Sequence, residues 1–370
     1  MATEKIRVGI IGANVRYGWG RDTHIPALSA LPEFEITAVC TSRKETADET
    51  ARQFGIPHAF ADPYKMVKNP DVDLVSICVR VPFHYQLGMA ALNAGKHLYC
   101  EWPFAATTEQ AQRMRDLAVR NEVRHMVGLQ ARGARAFNRV KDLVAEGYVG
   151  NVLSCTMIVS TATWGTEFTR DWAYMADRSI GKTLRTSPGG HSIDALCFCL
   201  REFKELSSVV ANQRQRVKIV ETGETIEMTS PDQVLLSGVL QSGAVASVHL
   251  KRRHRQRDGV PVRDPWHRGR PGYRAGRSSP GDLHTGLRVH CVRCAGGQTA
   301  GGSLDTGELP LGSPAVPAGL PFNVGQMYMR IAEGIRDGRS VSPDFDVAVK
   351  RHQLLHVIQK ASDTGIRQIL

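Results

Sequence analysis

The sequence predicts an α/β protein: an N-terminal doubly wound parallel sheet, then an α+β domain with a large, open, mainly antiparallel sheet. Three observations carry this. Residues 6–129 alternate short apolar, β-branched runs with helical periods, the pattern of repeated βαβ units. The first run, Ile6 to Ile11, ends on Gly12, where a strand turns sharply into its crossover helix. From about residue 150 the runs lengthen and alternate apolar with polar residues, as strands with one solvated face do.

The first turn is the natural place for a dinucleotide, because its backbone N–H groups can cradle a pyrophosphate. The G-x-G-x-x-G fingerprint is half kept: Gly12 takes the first position, Asn14 the second and Tyr17 the third, with Gly18 and Gly20 just beyond. Asn tolerates left-handed backbone angles, which keeps such a turn open to it. Asp22 to Ala30 then reads as a helix and Phe34 to Cys40 as the second strand. After that strand an NAD-binding domain often places a carboxylate on the ribose hydroxyls. Here Ser42 and Arg43 stand in its place and suit a 2′-phosphate, so NADP is expected, with NAD as the alternative. A solvated helix start is the plainer reading of the same residues.

Further strands are expected at Asp73 to Val79 and Lys96 to Cys100, with Pro82 and His84 in the loop after the first and Glu101-Trp102 after the second. Those loops lie at carboxyl ends of strands, where ligands bind in open α/β sheets. The domains expected are 1–129 and 130–370. In the second, Val152 to Thr161 reads as the opening strand and Thr163 to Lys182, with Trp164, Trp172 and Tyr174, as a loop over a pocket. Gly189-Gly190-His191 opens a helix in which His191 and Asp194, three residues apart, share a face. His191 could exchange a proton with a substrate hydroxyl, or could be a structural histidine bonded within its helix.

At 42% hydrophobic residues, the 370-residue chain can bury a sizeable core. With no leader pattern and no run of membrane-spanning length, a cytoplasmic protein that engages no membrane is expected. The eight Cys sit mostly in apolar runs and read as reduced core thiols. The net charge of +11 suggests a nucleic-acid partner until it is located: Arg252 to Cys294 holds 11 Arg and 3 Asp with no Lys or Glu, which is +8 of the total. The rest of the chain is close to neutral, so nucleic acid is not the expected partner.

The runs VGIIGAN, VDLVSICVRVPFHYQLGMAALNAGKHLYCEWP, VGLQARGARAFNRVKDLVAEGYVGNV and GGHSIDAL, with PFNVGQMYMRIAEGIRDGRSVSPDF near the end, resemble the glucose–fructose oxidoreductase, inositol dehydrogenase and MocA family. Asn14, the GWG and THIPAL runs, EWP, LQARG and GYVGN resemble the branch that contains the fungal galactose-gene repressor. The resemblance implies a Rossmann domain and a C-terminal α/β domain, a nicotinamide cofactor, a sugar or polyol substrate, and homo-oligomers formed through an intact C-terminal sheet. It implies cofactor contacts from Gly12, Asn14, Ser42, Arg43, Pro82, His84, Glu101 and Trp102. It implies catalysis by His191 with Asp194, and substrate contacts from Arg132 and Trp164. No metal is expected. One departure stands out: the family's E-K-P lysine is Trp102 here. An indole cannot act as a general acid or base, although it can stack on a nicotinamide or sugar ring. Two functions are therefore implied, an NAD(P)-dependent sugar oxidoreductase and a catalytically silent nucleotide-binding regulator.

From Arg252 to about Asp305 the alternation stops and Arg, Gly, Pro and His dominate. The Cys291-Cys294 pair lacks the second pair a structural zinc site needs. The stretch reads best as text translated out of frame. Trp266 has a single codon, and followed by His267 it forces a glycine in the frame one base later. With suitable GC-rich codons that frame yields a strand, an HGTEGDL turn and a second strand, similar to the family's hairpin at this point. Such a shift would remove central strands from the C-terminal sheet.

Overall fold

The computed structural model describes residues 4–161, 167–252 and 315–370, and the backbone of Leu283–Val292. The chain divides into two units, Met1–Arg135 with Pro310–Leu354, and Ala136–Leu309 with Leu355–Leu370.

In the first unit, β1 (Ile6–Ile11), β2 (Phe34–Cys40), β3 (His58–Phe60), β4 (Leu74–Ile77), β5 (His97–Glu101) and β6 (His125–Gly128) form one sheet in the order β3-β2-β1-β4-β5-β6. All pairings are parallel. Val8, Ile10, Leu74, Val75 and Ile77 have no exposed surface, as strands covered on both faces require. The order reverses between β1 and β4, and that switch point opens a crevice at the carboxyl ends of the strands. Crossovers include α1 (Ile25–Ser29), α2 (Lys44–Phe54), α4 (His84–Asn93) and α5 (Thr108–Arg120), with the one-turn α3 (Pro63–Met66) between β3 and β4. Gly55, at φ +66°, ends α2. Arg7 staples the sheet's amino edge, donating from Nε and Nη2 to Asp73 at 3.0 and 2.7 Å.

The sequence reading gives everything from residue 130 to the second domain. Packing instead gives α8 (Leu320–Asp337) to the first. Val324, Met327, Tyr328 and Ile331 form one helical face and join a core that contains Ile6, Val8, Ile25 and Leu28. Gly133 permits the close approach of α8 to the LQARG turn: a Cβ there would lie 2.6 Å from the Asn323 carbonyl oxygen.

The second unit is built on a six-stranded sheet of β7 (Asn151–Thr161), β9 (Phe203–Ala211), β12 (Gln233–Leu240), β13 (Val245–Arg252), β14 (Leu283–Val292) and β15 (Gln368–Ile369), ordered β14-β7-β13-β12-β9-β15. Among the described residues of this sheet, β7 and β13 pair in parallel and the other pairings are antiparallel. One face carries Val234, Leu236, Ala246, Val248 and Leu250, all fully buried. On this unit α6 (Arg135–Ala145) precedes β7, and α7 (Pro188–Leu200) packs against β7. Gly189 lets α7 sit close, since a Cβ there would meet Leu250 Cδ1 at 2.8 Å. The C-terminal half of α9 (Phe345–Thr364) bonds to β9, the Ser362 hydroxyl accepting from the Val210 N–H at 2.8 Å.

Two expectations are corrected. The stretch read as a loop over a pocket is partly regular: β8 (Glu167–Phe168) pairs with β10 (Arg216–Ile219), which pairs with β11 (Thr225–Glu227). This small sheet has its own core of Phe168, Met175, Val217, Ile219 and Met228. Second, the Arg-rich text still supplies a strand, because LHTGLRVHCV alternates apolar and polar residues and β14 pairs antiparallel to β7. Arg252 ends β13, and the rest of that segment lies outside the described residues, as do the thiols of Cys291 and Cys294.

Candidate dinucleotide site and acid–base residues

The site is built outward from the end of β1. Gly12 has φ +103°, and a Cβ on it would lie 2.8 Å from Val79 and 2.9 Å from the Cys78 carbonyl, so the turn admits only glycine. Its own N–H donates to the Cys40 carbonyl at 2.9 Å and so ties β1 to β2 rather than facing a ligand. Asn14 does not use a left-handed angle. Its Oδ1 accepts from the Arg16 N–H at 2.9 Å, and Asn14 bridges to Tyr17, closing a local turn. The third glycine's role, close packing of helix on strand, falls to Gly20 and not to the Tyr17 position. A Cβ on Gly20 would lie 3.1 Å from both the Gly12 carbonyl oxygen and Ala13 Cα.

This region fits a dinucleotide. Gly18, at φ +120°, has nothing nearer to an added Cβ than the Gly12 oxygen at 4.0 Å, which leaves backbone open to a close-approaching phosphate. Beside it the Trp19 Nε1–H is buried with no hydrogen-bond partner among the described residues. Ser42 and Arg43 are exposed just past β2, and the carbonyl of Arg43, the N-cap residue of α2, accepts from the Thr41 and Thr46 hydroxyls. Pro82 is exposed in the 3-10 turn after β4, with Phe83 beside it.

Three of the residues expected as contacts are buried. His84 is 1% exposed, and its Nε2 pairs with the Val79 carbonyl at 2.9 Å, so it braces the loop from inside. Burial pushes the His84 imidazole below its ordinary value, outweighing the carbonyls and Glu101 that pull the other way, which keeps it neutral. Trp102 is 5% exposed, its ring 4.9 Å from that of His352, whose Nε2 accepts from the Ala105 N–H. The indole packs into the wall beside β5. Arg132 is 8% exposed, and its carbonyl accepts from Arg330 Nη2 at 2.9 Å. Burial, and next the charge of Arg132, lower the Arg330 guanidinium from its ordinary value.

Glu101 closes β5 and reveals partners that local sequence patterns do not. Its Oε1 is 3.0 Å from His24 Nε2, His24 Nδ1 is 2.6 Å from the Tyr328 hydroxyl, and that hydroxyl is 2.7 Å from Ser76 Oγ. His24 ends a π-helical turn, Gly20–His24, that leads into α1. The only prior sign of His24 is a lone polar ring inside the THIPAL run. On the second unit, His191 is half-buried in the first turn of α7, and Asp194 has no exposed surface. Trp164 lies outside the described residues.

Residues 6–129 match the oxidoreductase family with an NAD-binding Rossmann fold, GFO_IDH_MocA, and residues 136–259 match the C-terminal domain of Gal80p. Among curated proteins, the dehydrogenase aclE of Aspergillus oryzae is 34% identical over 55% of this chain and 57% of its own length. The galactose/lactose metabolism regulatory protein GAL80 of Saccharomyces cerevisiae is 28% identical over 65% of this chain and 59% of its own. The chain thus spans between half and two thirds of these relatives. Among solved structures, a super-repressor mutant of Gal80p from Saccharomyces cerevisiae superposes with a TM-score of 0.76 at 21% identity, covering 99% of this chain and 98% of that one. Levoglucosan dehydrogenase in complex with NADH gives 0.76 at 21% identity, covering 99% of both. At that identity the likeness speaks for the fold.

Proposed function

The chain belongs to the NAD-binding Rossmann oxidoreductase family, with a C-terminal domain of the Gal80p type, and from that premise we propose that it is an NADP-preferring oxidoreductase acting on a sugar or polyol hydroxyl or the matching carbonyl. The observation that carries the reading is the carboxyl end of β2. Ser42 and Arg43 stand exposed there, and the first carboxylate, Glu45, falls within α2. A 2′-phosphate would meet a guanidinium and a hydroxyl, whereas ribose hydroxyls would find no acceptor carboxylate.

When bound, the dinucleotide supplies hydride exchange at its nicotinamide. The chain's part is to hold it and to manage the substrate proton. Gly12, Gly18 and Gly20 shape the phosphate turn, and Pro82 borders the switch point. His191, half-exposed in the first turn of α7, takes or returns the hydroxyl proton. Asp194, one turn on and fully buried, is its positioning residue. Sugar dehydrogenases among the relatives, levoglucosan dehydrogenase of Pseudarthrobacter phenanthrenivorans included, support the substrate class.

Trp102 favours a second reading. The position that is lysine in the resembled family is a buried indole here, so the chain has one proton-handling group fewer. A nucleotide-binding regulator without turnover needs no such group. A panel of sugars and polyols assayed for NADP reduction separates the two. Turnover that His191→Ala removes, with NADP affinity held within twofold, supports the enzyme. Tight NADP binding with no turnover supports the regulator. Arg43→Asp should reverse the NADP preference, and an unchanged preference would overturn the phosphate assignment.

A further inference from the structure

A buried carboxylate is costly unless paired, and apolar replacements of buried pairs are often neutral or stabilising. The chain nevertheless keeps Glu101 with 7% exposure and His24 with none. It also shapes the surroundings to hold them. Gly128, on the neighbouring strand, is the only residue that fits: an added Cβ would lie 2.7 Å from the carboxyl carbon and both oxygens of Glu101. His24 is boxed by two rings at right angles, Tyr99 at 5.2 Å and Tyr328 at 5.6 Å, so its imidazole has one orientation. The cluster draws on β4, β5, β6, α8 and the π-helical turn, and it sits at the carboxyl edge on the β4–β5 side of the switch point. With Ser42 and Arg43 at the end of β2 taking the adenosine end, the β4–β5 side is left for the nicotinamide.

The hydrogen bonds impose a direction. An ionised carboxylate only accepts, so His24 donates from Nε2–H. In a neutral ring Nδ1 must then accept, from the Tyr328 hydroxyl, and the Tyr328 oxygen accepts in turn from Ser76. With an ionised carboxylate and a neutral imidazole, Ser76, Tyr328, His24 and Glu101 form one chain of hydrogen bonds that ends on the carboxylate.

We infer that His24 is a positioning residue that holds Glu101 as a fixed negative charge at the nicotinamide end of the site, so that the protein binds the oxidised, cationic dinucleotide more tightly than the reduced, neutral one. This rests on the dinucleotide reading of the switch point. It holds whether or not the chain turns over, because it concerns affinity.

The test measures dissociation constants of NADP+ and NADPH for the full chain and its variants, with thermal melts to confirm folding. The wild type should favour NADP+. Glu101→Gln and His24→Leu should each lower the NADP+ to NADPH affinity ratio about tenfold, a like-for-like loss of one charge interaction. His24→Gln, which keeps a donor to Glu101, should hold the ratio within twofold. If His24→Leu fails to fold, Glu101→Gln and His24→Gln still decide the matter. In the apoprotein, imidazole 15N spectra should show the proton on Nε2 of His24. A ratio unmoved by Glu101→Gln, or a proton on Nδ1, overturns the inference while leaving the cofactor reading intact. Failure of the wild type to bind either dinucleotide removes both.

Discussion

The carboxyl edge of the first unit's sheet and the first turn of α7 in the second carry the two parts of the proposed chemistry, and they are built by opposite means. At the sheet edge the polar groups are locked into one another: Glu101 to His24, His24 to Tyr328, Tyr328 to Ser76, with Gly128 clearing the space. On α7 the functional side chain, His191, is left half-exposed, and what is locked is its support, the close seat of Gly189 on Leu250 and the buried Asp194. A charge that only biases affinity can be rigid and dry, where it is least screened. A group that exchanges a proton with a substrate must be reachable.

The sharpest way to break the comparison lies in the gene. Reading the DNA across codons 245–325 should reveal one shift of frame just after codon 252 and a compensating one between codons 305 and 320. The corrected chain should lose most of the +11 charge and melt well above the present one, since restored buried strands are worth a large part of the ~5–15 kcal/mol that holds a domain. DNA that matches the printed text would make the Arg-rich stretch a genuine property of the second unit.

Next come the two glycines that seat each region. Gly12→Ala meets both a positive φ and a backbone carbonyl at 2.9 Å, so it should cost about 3 kcal/mol and abolish dinucleotide binding. Gly189→Ala meets the Leu250 methyl and the Leu184 carbonyl and should cost about 2 kcal/mol, with dinucleotide affinity retained. Denaturant melts with NADP titration check both. Loss of binding in Gly189→Ala would mean that the regions are not separable.

The smallest effect concerns the sheet's other edge. Burial alone would raise the Asp73 carboxyl, but hydrogen bonds and charge from Arg7 outweigh it and hold it below the usual carboxylate range. Its contribution to stability is therefore present above the unfolded value of ~3.9 and lost as the pH falls through the lower folded value. Asp73→Asn should flatten the acid limb of the melting-temperature profile and leave neutral-pH dinucleotide binding unchanged. An acid limb identical to wild type would remove Arg7–Asp73 from the account.

Much of this was legible in the chain itself. The β-branched runs, the helical periods between them and Gly12 determine a parallel sheet with a glycine turn, because strand and helix periodicity and positive φ are local properties. The exposed Ser42 and Arg43 and the first turn of α7 were likewise readable, since each lies at a boundary that short-range patterns mark. What tertiary structure alone decided lies in pairings with no local trace. Gly20 rather than position 17 seats the first helix, Asn14 closes a turn instead of taking a left-handed angle, and α8 returns to complete the first unit's core. His24 finds Glu101 across 77 residues and Tyr328 across 304. The burial of His84 and Trp102 was likewise set by packing. The physical reason is the same in each case: which polar group meets which, and which side chain loses water, is set by where the packed elements cross, and no sequence spacing carries that information.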